Sequence, residues 1–363
     1  MGLTQKEIAK QLGVSYMSVS RALNGSGYVS ESLKMRILTY AKENGYEPHR
    51  ASQVLVRNTT HRLALFSSSL PHYFWDEIEK GVQVAAQQLK AFNYETTYHR
   101  IPEQDTQAYL EVLETELKKG LDAIGLVYQR KYDMQAILAR IEQANIPYVT
   151  FNVDNQTSNR RTFIGCDYRS GGRLAADFIA HTLQLSAKKE VLVLLCDEEG
   201  QLQGRGPDIN KLRLDGFLSF MEENFPAITI HTEYFSTKLQ VGYQDNQILE
   251  LIKQYQDQVQ AIYMISAFNT DFLHALECLP NHDFVTILHD LDNSAIRHLK
   301  TRLLSAVIDQ SPTLQGYYTV MALERIVESK GKNAIADLKL EHNLVLSENR
   351  HLIEGLIAAK LMQ

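Results

Sequence analysis

Cysteine is scarce: three residues in 363, at Cys166, Cys196 and Cys278. Their number is odd and their spacing suggests no pairs, which excludes a disulfide framework and fits a reduced cytoplasm. No stretch approaches the roughly 18 consecutive apolar residues of a membrane span. The N-terminus has no basic-then-apolar leader, so the chain is expected to stay in the cytoplasm. Catalytic signatures are missing too. There is no Gly-x-Ser-x-Gly elbow, no Gly-x4-Gly-Lys-Ser/Thr phosphate loop and no His-Glu-x-x-His helix. Gly204-Arg205-Gly206-Pro207 lacks the lysine and hydroxyl of a phosphate cradle and reads as a loop. Of the twelve histidines, those at 181, 231, 274, 282 and 289 are scattered along the chain. No enzyme, metal or cofactor is expected. A catalytic reading would need a paired acid and base, and only His289 with Asp290 offers one.

What is present begins at Thr4. Thr4 and Glu7 have capping-box spacing, and Ile8 and Leu12 lie one turn apart on a face that can be buried. Gly13 can take the left-handed conformation that ends a helix, and Val14 can plug the turn. Ser15 then caps a second helix in which Val19 and Leu23 point inward. That leaves Tyr16, Met17, Ser18, Ser20 and Arg21 near its start and outer face. A third helix is predicted from Ser30 to about Asn44, with Leu33, Ile37 and Ala41 on one stripe and Gly45 as the stop. A helix, a tight turn and a second helix over one small core is the pattern of a major-groove reader. Charge agrees: residues 1–60 hold eight Lys or Arg against four Asp or Glu, a balance of +4 in a chain of −6, so the remainder carries −10. Only the head suits a polyanion.

The rest of the chain alternates short apolar runs with amphipathic stretches. The runs are Leu63–Phe66, Ala123–Val127, Tyr148–Phe151, Val191–Leu195, Ala261–Ile265 and Phe284–Leu288, of the kind expected for parallel strands covered on both faces. Helical stretches lie at Asp76–Phe92, Ala108–Lys119, Gly172–Leu183, Leu212–Glu223 and Leu314–Val327. About 300 residues of this α/β pattern exceed one sheet, so two lobes are the natural partition. Ligands in such sheets bind beyond the carboxyl ends of the strands, here the cleft between lobes.

Val14-Ser15-Tyr16-Met17-Ser18-Val19-Ser20-Arg21-Ala22-Leu23-Asn24, with Val29-Ser30, Gly45-Tyr46-Glu47-Pro48 and the basic-flanked Pro48–Arg57, closely resembles the head and hinge of the LacI/GalR family of bacterial transcription regulators. Gly165–Gly172, Arg213–Phe217 and Asp309–Tyr317 resemble the effector domains of that family, which are similar to ribose-type periplasmic binding proteins. The resemblance implies a helix-turn-helix domain over 1–47 and a hinge helix and linker over 48–60. It also implies an effector-binding and dimerisation domain over 61–363. The N-lobe of that domain would be about 61–165 plus 310–340, and the C-lobe about 166–309 plus 341–363. The expected fold is thus an all-α head followed by a two-lobed, periplasmic-binding-protein-like domain of two doubly wound parallel sheets.

By the same resemblance, Tyr16, Met17 and Arg21 match base-reading positions, while Ser15, Ser18, Ser20 and Asn24 hold phosphates. Thr4 and the hinge residues His49, Arg50 and Gln53 join the DNA-binding set, and Leu55 matches a minor-groove wedge. An apolar wedge partly unstacks a base step, and the bent duplex gains protein contacts in return. Met17 departs from the polar residue common at its position and substitutes a methyl or shape contact.

For the cleft, a sugar needs charged or amide groups that bond its hydroxyls and an aromatic wall for its apolar face. Strand ends supply Ser69 and the run Tyr73-Phe74-Trp75, then Asn152 and Asp154, then Phe268 and Asn269, then Asp290. Gln310 lies at an expected lobe crossing, and Arg213 matches a family position that contacts effector. Asn152 departs from the aspartate usual there and removes a charge. The apolar-striped segment His351–Leu361 is too short for a sustained coiled coil, which favours a homodimer over a tetramer. The function expected is a nucleoid-associated repressor of carbohydrate-utilisation genes, bound to a near-palindromic operator and controlled by a sugar or sugar derivative. The alternatives are a purine- or nucleoside-responsive corepressor type and a constitutive DNA-binding protein whose body is only a dimerisation scaffold.

Overall fold

The computed structural model describes residues 3–24, 29–44, 59–184, 186–196, 207–236, 247–266, 269–279, 283–330 and 335–349. Among the described residues the head contains three helices, Gln5–Leu12 (α1), Tyr16–Asn24 (α2) and Glu31–Glu43 (α3). Ile8, Ala9, Val19, Ala22, Ile37 and Ala41 form its core, with Leu12, Val14, Leu23, Leu33 and Tyr40 packed around it. The expected hinge helix and the apolar-striped segment 351–361 lie outside the described residues.

The body is built on two six-stranded sheets. The first contains His61–Ser68 (β1), Tyr94–Ile101 (β2), Ala123–Leu126 (β3), Tyr148–Phe151 (β4), Phe163–Cys166 (β5) and Leu338–Leu340 (β11). The second contains Glu190–Cys196 (β6), Thr229–Phe235 (β7), Ala261–Met264 (β8), Val285–His289 (β9), Ala306–Asp309 (β10) and Asn343–Val345 (β12). Their orders, β11-β5-β4-β3-β1-β2 and β12-β10-β9-β8-β6-β7, are the same doubly wound pattern built twice. Each order reverses once, beside β1 in the first sheet and beside β6 in the second, and such a switch point leaves a crevice at the strand carboxyl ends. Pairing is parallel at these points, with Leu63 opposite Ala123 and Val191 opposite Ala261. One strand departs from the all-parallel expectation: β12 is antiparallel to β10.

Helices cover both faces because the central strands are apolar on both. In β6, Leu192, Leu194 and Cys196 enter one core, with Gln247–Tyr255 (α9), Asn269–Glu277 (α10) and Asn293–Thr301 (α11) above it. Val191, Val193 and Leu195, alternating with them, enter the other, beneath Tyr168–Leu183 (α7) and Ile209–Asn224 (α8). This is the period-two sorting of a strand buried on two sides. The first sheet repeats the scheme with His72–Lys90 (α4), Thr106–Lys119 (α5), Met134–Gln143 (α6) and Pro312–Glu328 (α12). The chain passes between sheets after β5, after β10 and again between β11 and β12.

Two helix crossings are closed by glycine. A Cβ on Gly81 would lie 1.8 Å from the Thr313 carbonyl oxygen, and one on Gly316 2.0 Å from that of Ile78, locking α4 to α12. In the second lobe, Gly172 would meet the Arg213 carbonyl oxygen at 1.9 Å and Gly216 that of Arg169 at 2.0 Å. The α7–α8 crossing therefore sets where Arg213 stands. Gly172→Ala is expected to cost about 1–3 kcal/mol by overpacking and to displace the arginine. Chemical denaturation of the purified variant measures the first effect, and unchanged stability would contradict the packing described.

Candidate functional site

In the head, the predicted caps are realised. Thr4 Oγ1 accepts from the Glu7 amide at 3.3 Å and Glu7 accepts from the Thr4 amide at 2.8 Å, a reciprocal capping box. Gly13 is left-handed at φ 65° and Val14 N donates to Ala9 O at 3.0 Å. Ser15 Oγ accepts from Ser18 N at 3.0 Å and lies 2.9 Å from Ser18 Oγ. Thr4, Ser15 and Ser18 are thus engaged in building the helix ends. Tyr16 and Met17 are 49% and 56% exposed, and Arg21 is exposed one turn beyond Met17, while Val19 and Ala22 face the core. Ser20 is half-buried. The outer stripe of α2 is therefore Tyr16, Met17 and Arg21. The side chain of Asn24 and residues His49, Arg50, Gln53 and Leu55 fall outside the described part.

In the body, a polar cluster forms around Asp290. That residue leaves β9 in the left-handed region at φ 71°, as Asn152 does after β4 at 60° and Ser311 after β10 at 52°. Asn and Asp tolerate this conformation better than other residues with a Cβ. Gln310 Nε2 donates to Asp290 Oδ1. Asn269 Nδ2 donates to the carbonyls of His289 and Asp290 at 3.0 and 3.1 Å. Arg213 is 3% exposed, donates Nη1 to Ile265 O at 2.8 Å and lays its guanidinium over the Tyr168 ring at 5.5 Å. Burial raises the Asp290 carboxyl above its ordinary range, opposed by the Arg213 charge and the Gln310 hydrogen bond.

The first lobe reaches the same place. Burial, then the charges of Asp290 and Asp292 in the second lobe, push the Tyr73 hydroxyl far up, so it remains protonated. Asn152 Nδ2 donates to Gln315 Oε1 at 3.2 Å, and Gln315 Nε2 donates to the Gln310 carbonyl at 2.9 Å. Tyr168 donates its hydroxyl to Asn152 O at 2.8 Å across the crossing. At the mouth, Arg130 of the first lobe pairs with Asp208 of the second at 2.9 Å. Asp208 also caps α8, accepting from Lys211 N at 3.1 Å, one turn before Arg213.

Four buried polar atoms of this cluster have no hydrogen-bond partner: Tyr73 Oη, Arg213 Nε, Asn269 Oδ1 and Gln310 Oε1. A buried unpaired polar atom costs about 1–3 kcal/mol, so several around one carboxylate mark a place built for polar ligand atoms.

Other predicted residues stand elsewhere. Asp154 accepts from Thr150 Oγ1 at 2.6 Å and is paired with Arg160, which also bridges Asp337 at 2.7 Å, so its oxygens already have partners. The aromatic run lies inside the first turn of α4, not in a loop before Asp76. Consecutive helical residues diverge by about 100°, and Trp75 is buried with its indole N–H on Leu70 O at 2.8 Å. Phe74 is buried edge-on against it, ring centres 5.1 Å apart. Ser69 is half-buried with its amide on Ile101 O. Phe268 lies outside the described residues. Tyr168, Gln315, Arg130 and Asp208 were not indicated by the sequence pattern. Tyr168 opens α7 and Gln315 lies in the first turn of α12, and Arg130 and Asp208 meet only through the fold. A cavity of about 1110 Å³, lined by His61, Asp122, Tyr148, Arg161 and Lys330 among others, opens at the amino ends of the first sheet and is separate from this cluster.

Such a fold and cluster define a two-lobed ligand-binding body of the periplasmic binding type, and the capped helix pair defines a DNA-reading head. Residues 63–333 match the periplasmic binding protein domain model, and residues 4–49 match that of the bacterial regulatory proteins, lacI family. The chain thus joins a helix-turn-helix domain of the bacterial regulatory lacI type to a body that belongs to the periplasmic binding protein domain family. The ribose import binding protein RbsB of Bacillus subtilis is 26% identical over 290 residues, covering 77% of this chain and 86% of that protein. The same organism's probable HTH-type transcriptional repressor ExuR is 31% identical over 156 residues, 42% of this chain and 44% of that one. Among solved structures, GanP, a glucose-galactose binding protein from Geobacillus stearothermophilus, superposes with a TM-score of 0.65 at 21% identity, covering 81% of this chain and 99% of its own. No helix among the described residues is long and apolar enough to cross a membrane.

Proposed function

We propose that the chain is a homodimeric, cytoplasmic repressor of carbohydrate-utilisation genes whose operator binding is set by a sugar held between the lobes. The observation that carries this is the set of unpartnered buried polar atoms around Asp290, in a body joined to a helix pair that presents Tyr16, Met17 and Arg21. Relatives named as the ribose operon repressor support a sugar signal. Two subunits place their recognition helices in successive major grooves about one helical turn apart on a near-palindromic site. Sugar binding closes the lobes and biases the hinge. Only a ligand with different affinities for the two arrangements can do this, and a coupling of about 1–3 kcal/mol is ordinary.

A thermal-shift screen of pentoses, hexoses, their phosphates and purines tests the reading. A sugar present at ~100 times its Kd should add about 2.7 kcal/mol of stability; a response to purines alone would overturn it. The Arg130–Asp208 pair gives a second expectation. Arg130→Gln leaves the α8 cap in place but removes the bridge between lobes, and should weaken affinity for the sugar hit ~3- to 10-fold. Titration calorimetry reads this, and an unchanged Kd would show that the pair does not favour closure.

A further inference from the structure

We propose that the inter-lobe site selects an uncharged, hydroxyl-rich monosaccharide and rejects the same sugar bearing a carboxylate or phosphate. This rests on reading the Asp290 cluster as the effector site, and it narrows that reading from sugars and their derivatives to one charge class.

The amides of the cluster point in fixed directions. Asn269 uses both amide hydrogens on the His289 and Asp290 carbonyls, and Gln310 gives its Nε2 to the Asp290 carboxylate. Neither can flip without setting oxygen against oxygen. Tyr73 Oη and Arg213 Nε are the unpartnered donors of the cluster, whereas the atoms these two amides leave unpartnered, Asn269 Oδ1 and Gln310 Oε1, are both acceptors. Beside them stands a carboxylate, which also accepts. A sugar hydroxyl can donate to each of these; a carboxylate or phosphate oxygen cannot, and would face them as a like partial charge.

The full charges of the cluster are already balanced. Arg213 is the buried cation of the cluster, and Asp290 already opposes it. Asp309, also buried, lies near enough to feel Asp290, and burial pushes its carboxyl up to about 6. The histidines add no positive charge. His289 is held well below its ordinary value by burial and by Arg213, and the same two causes push His342 down to about 4. At the mouth, Arg130 is paired with Asp208 at 2.9 Å and Lys131 with Glu103 at 2.8 Å. On the first-lobe wall stand the neutral Asn152 and the buried apolar Val153. An anionic ligand would bring excess negative charge into a site whose one buried cation among the described residues, Arg213, already offsets the Asp290 charge and has only Nε open to a ligand.

The test is titration calorimetry on the full-length protein with matched sets: D-glucose, D-galactose and D-ribose against D-glucuronate, D-galacturonate, glucose 6-phosphate and ribose 5-phosphate. At least one neutral sugar should bind, and its charged counterpart should bind at least ~30-fold more weakly, as expected when buried charged hydrogen-bonding groups are mismatched. A uronate or phosphate binding as tightly as its parent would overturn the proposal while leaving the site reading intact. Binding by none of the set would overturn the site reading itself. Asp290→Asn separates charge balance from shape. It should weaken the neutral sugar yet narrow the neutral-to-anionic ratio at least ~10-fold, since it removes the carboxylate that offsets Arg213; an unchanged ratio would contradict the charge argument.

Discussion

Arg213→Ala is expected to reduce affinity for the sugar at least ~100-fold while operator binding without sugar is kept. Arg213 is the group most deeply committed to the cluster. Its carbonyl abuts Gly172, one guanidinium nitrogen is tied to Ile265 O, its plane lies over Tyr168, and Nε is left for a ligand. Removing it takes away a charged donor and leaves Asp290 without its compensating cation, so Asp290 should protonate more readily. The sign is definite: the Asp290 pKa, already raised by burial, rises further once the arginine that lowers it is gone. A raised folded-state carboxyl pKa means that the native state binds protons more readily than the unfolded chain. The variant should therefore lose stability as pH rises from the ordinary carboxylate range towards neutrality, more steeply than the parent. Calorimetry and pH-dependent denaturation check the two effects. Wild-type affinity in the variant would remove Arg213 from the site.

Arg21→Ala is the counterpart in the head. Arg21 is exposed one turn after Met17 on the outer stripe of α2, away from the core made by Val19 and Ala22. A bidentate arginine–guanine contact contributes about 1–3 kcal/mol of discrimination. The variant should lose ~5- to 150-fold in specific affinity, with relaxed preference at one operator position and little change in non-specific binding. Equal losses on specific and random duplexes would reduce Arg21 to a phosphate contact.

The parts of the fold legible in the sequence were those with one dominant physical signal. β1, β3, β4, β6, β8 and β9 are apolar on both faces and read as runs. β2 and β7 are edge strands with mostly half-buried side chains, so Tyr94–Ile101 and Thr229–Phe235 have no such signature. β5 and β10 are buried and no shorter than β3, β4 and β8, yet they were not read as runs. Helices α6, α9, α10 and α11 span nine or ten residues and gave too few turns for a periodic stripe. In the site, Asn152, Asn269, Asp290 and Gln310 were legible because they follow strands or a crossing, and the chemistry of this fold gathers there. Gln315 was not: a glutamine inside a helix looks solvated until α12 is laid against β4. Nor could the Arg130–Asp208 pair be read, since its partners lie on different lobes. The aromatic run shows the opposite failure. Three adjacent aromatics suggested one wall, but in a helix they diverge, and Tyr73 alone has a hydroxyl that the charges of the second lobe's carboxylates push up.

In the function proposed above, a sugar between the lobes governs what the head does on DNA. Fluorescence anisotropy of a near-palindromic operator, titrated with the full-length protein with and without saturating sugar, tests it most directly. The predicted result is a change of ~5- to 150-fold in operator affinity for the wild type and none for Arg213→Ala. Operator affinity that stays the same in both proteins at saturating sugar would contradict it.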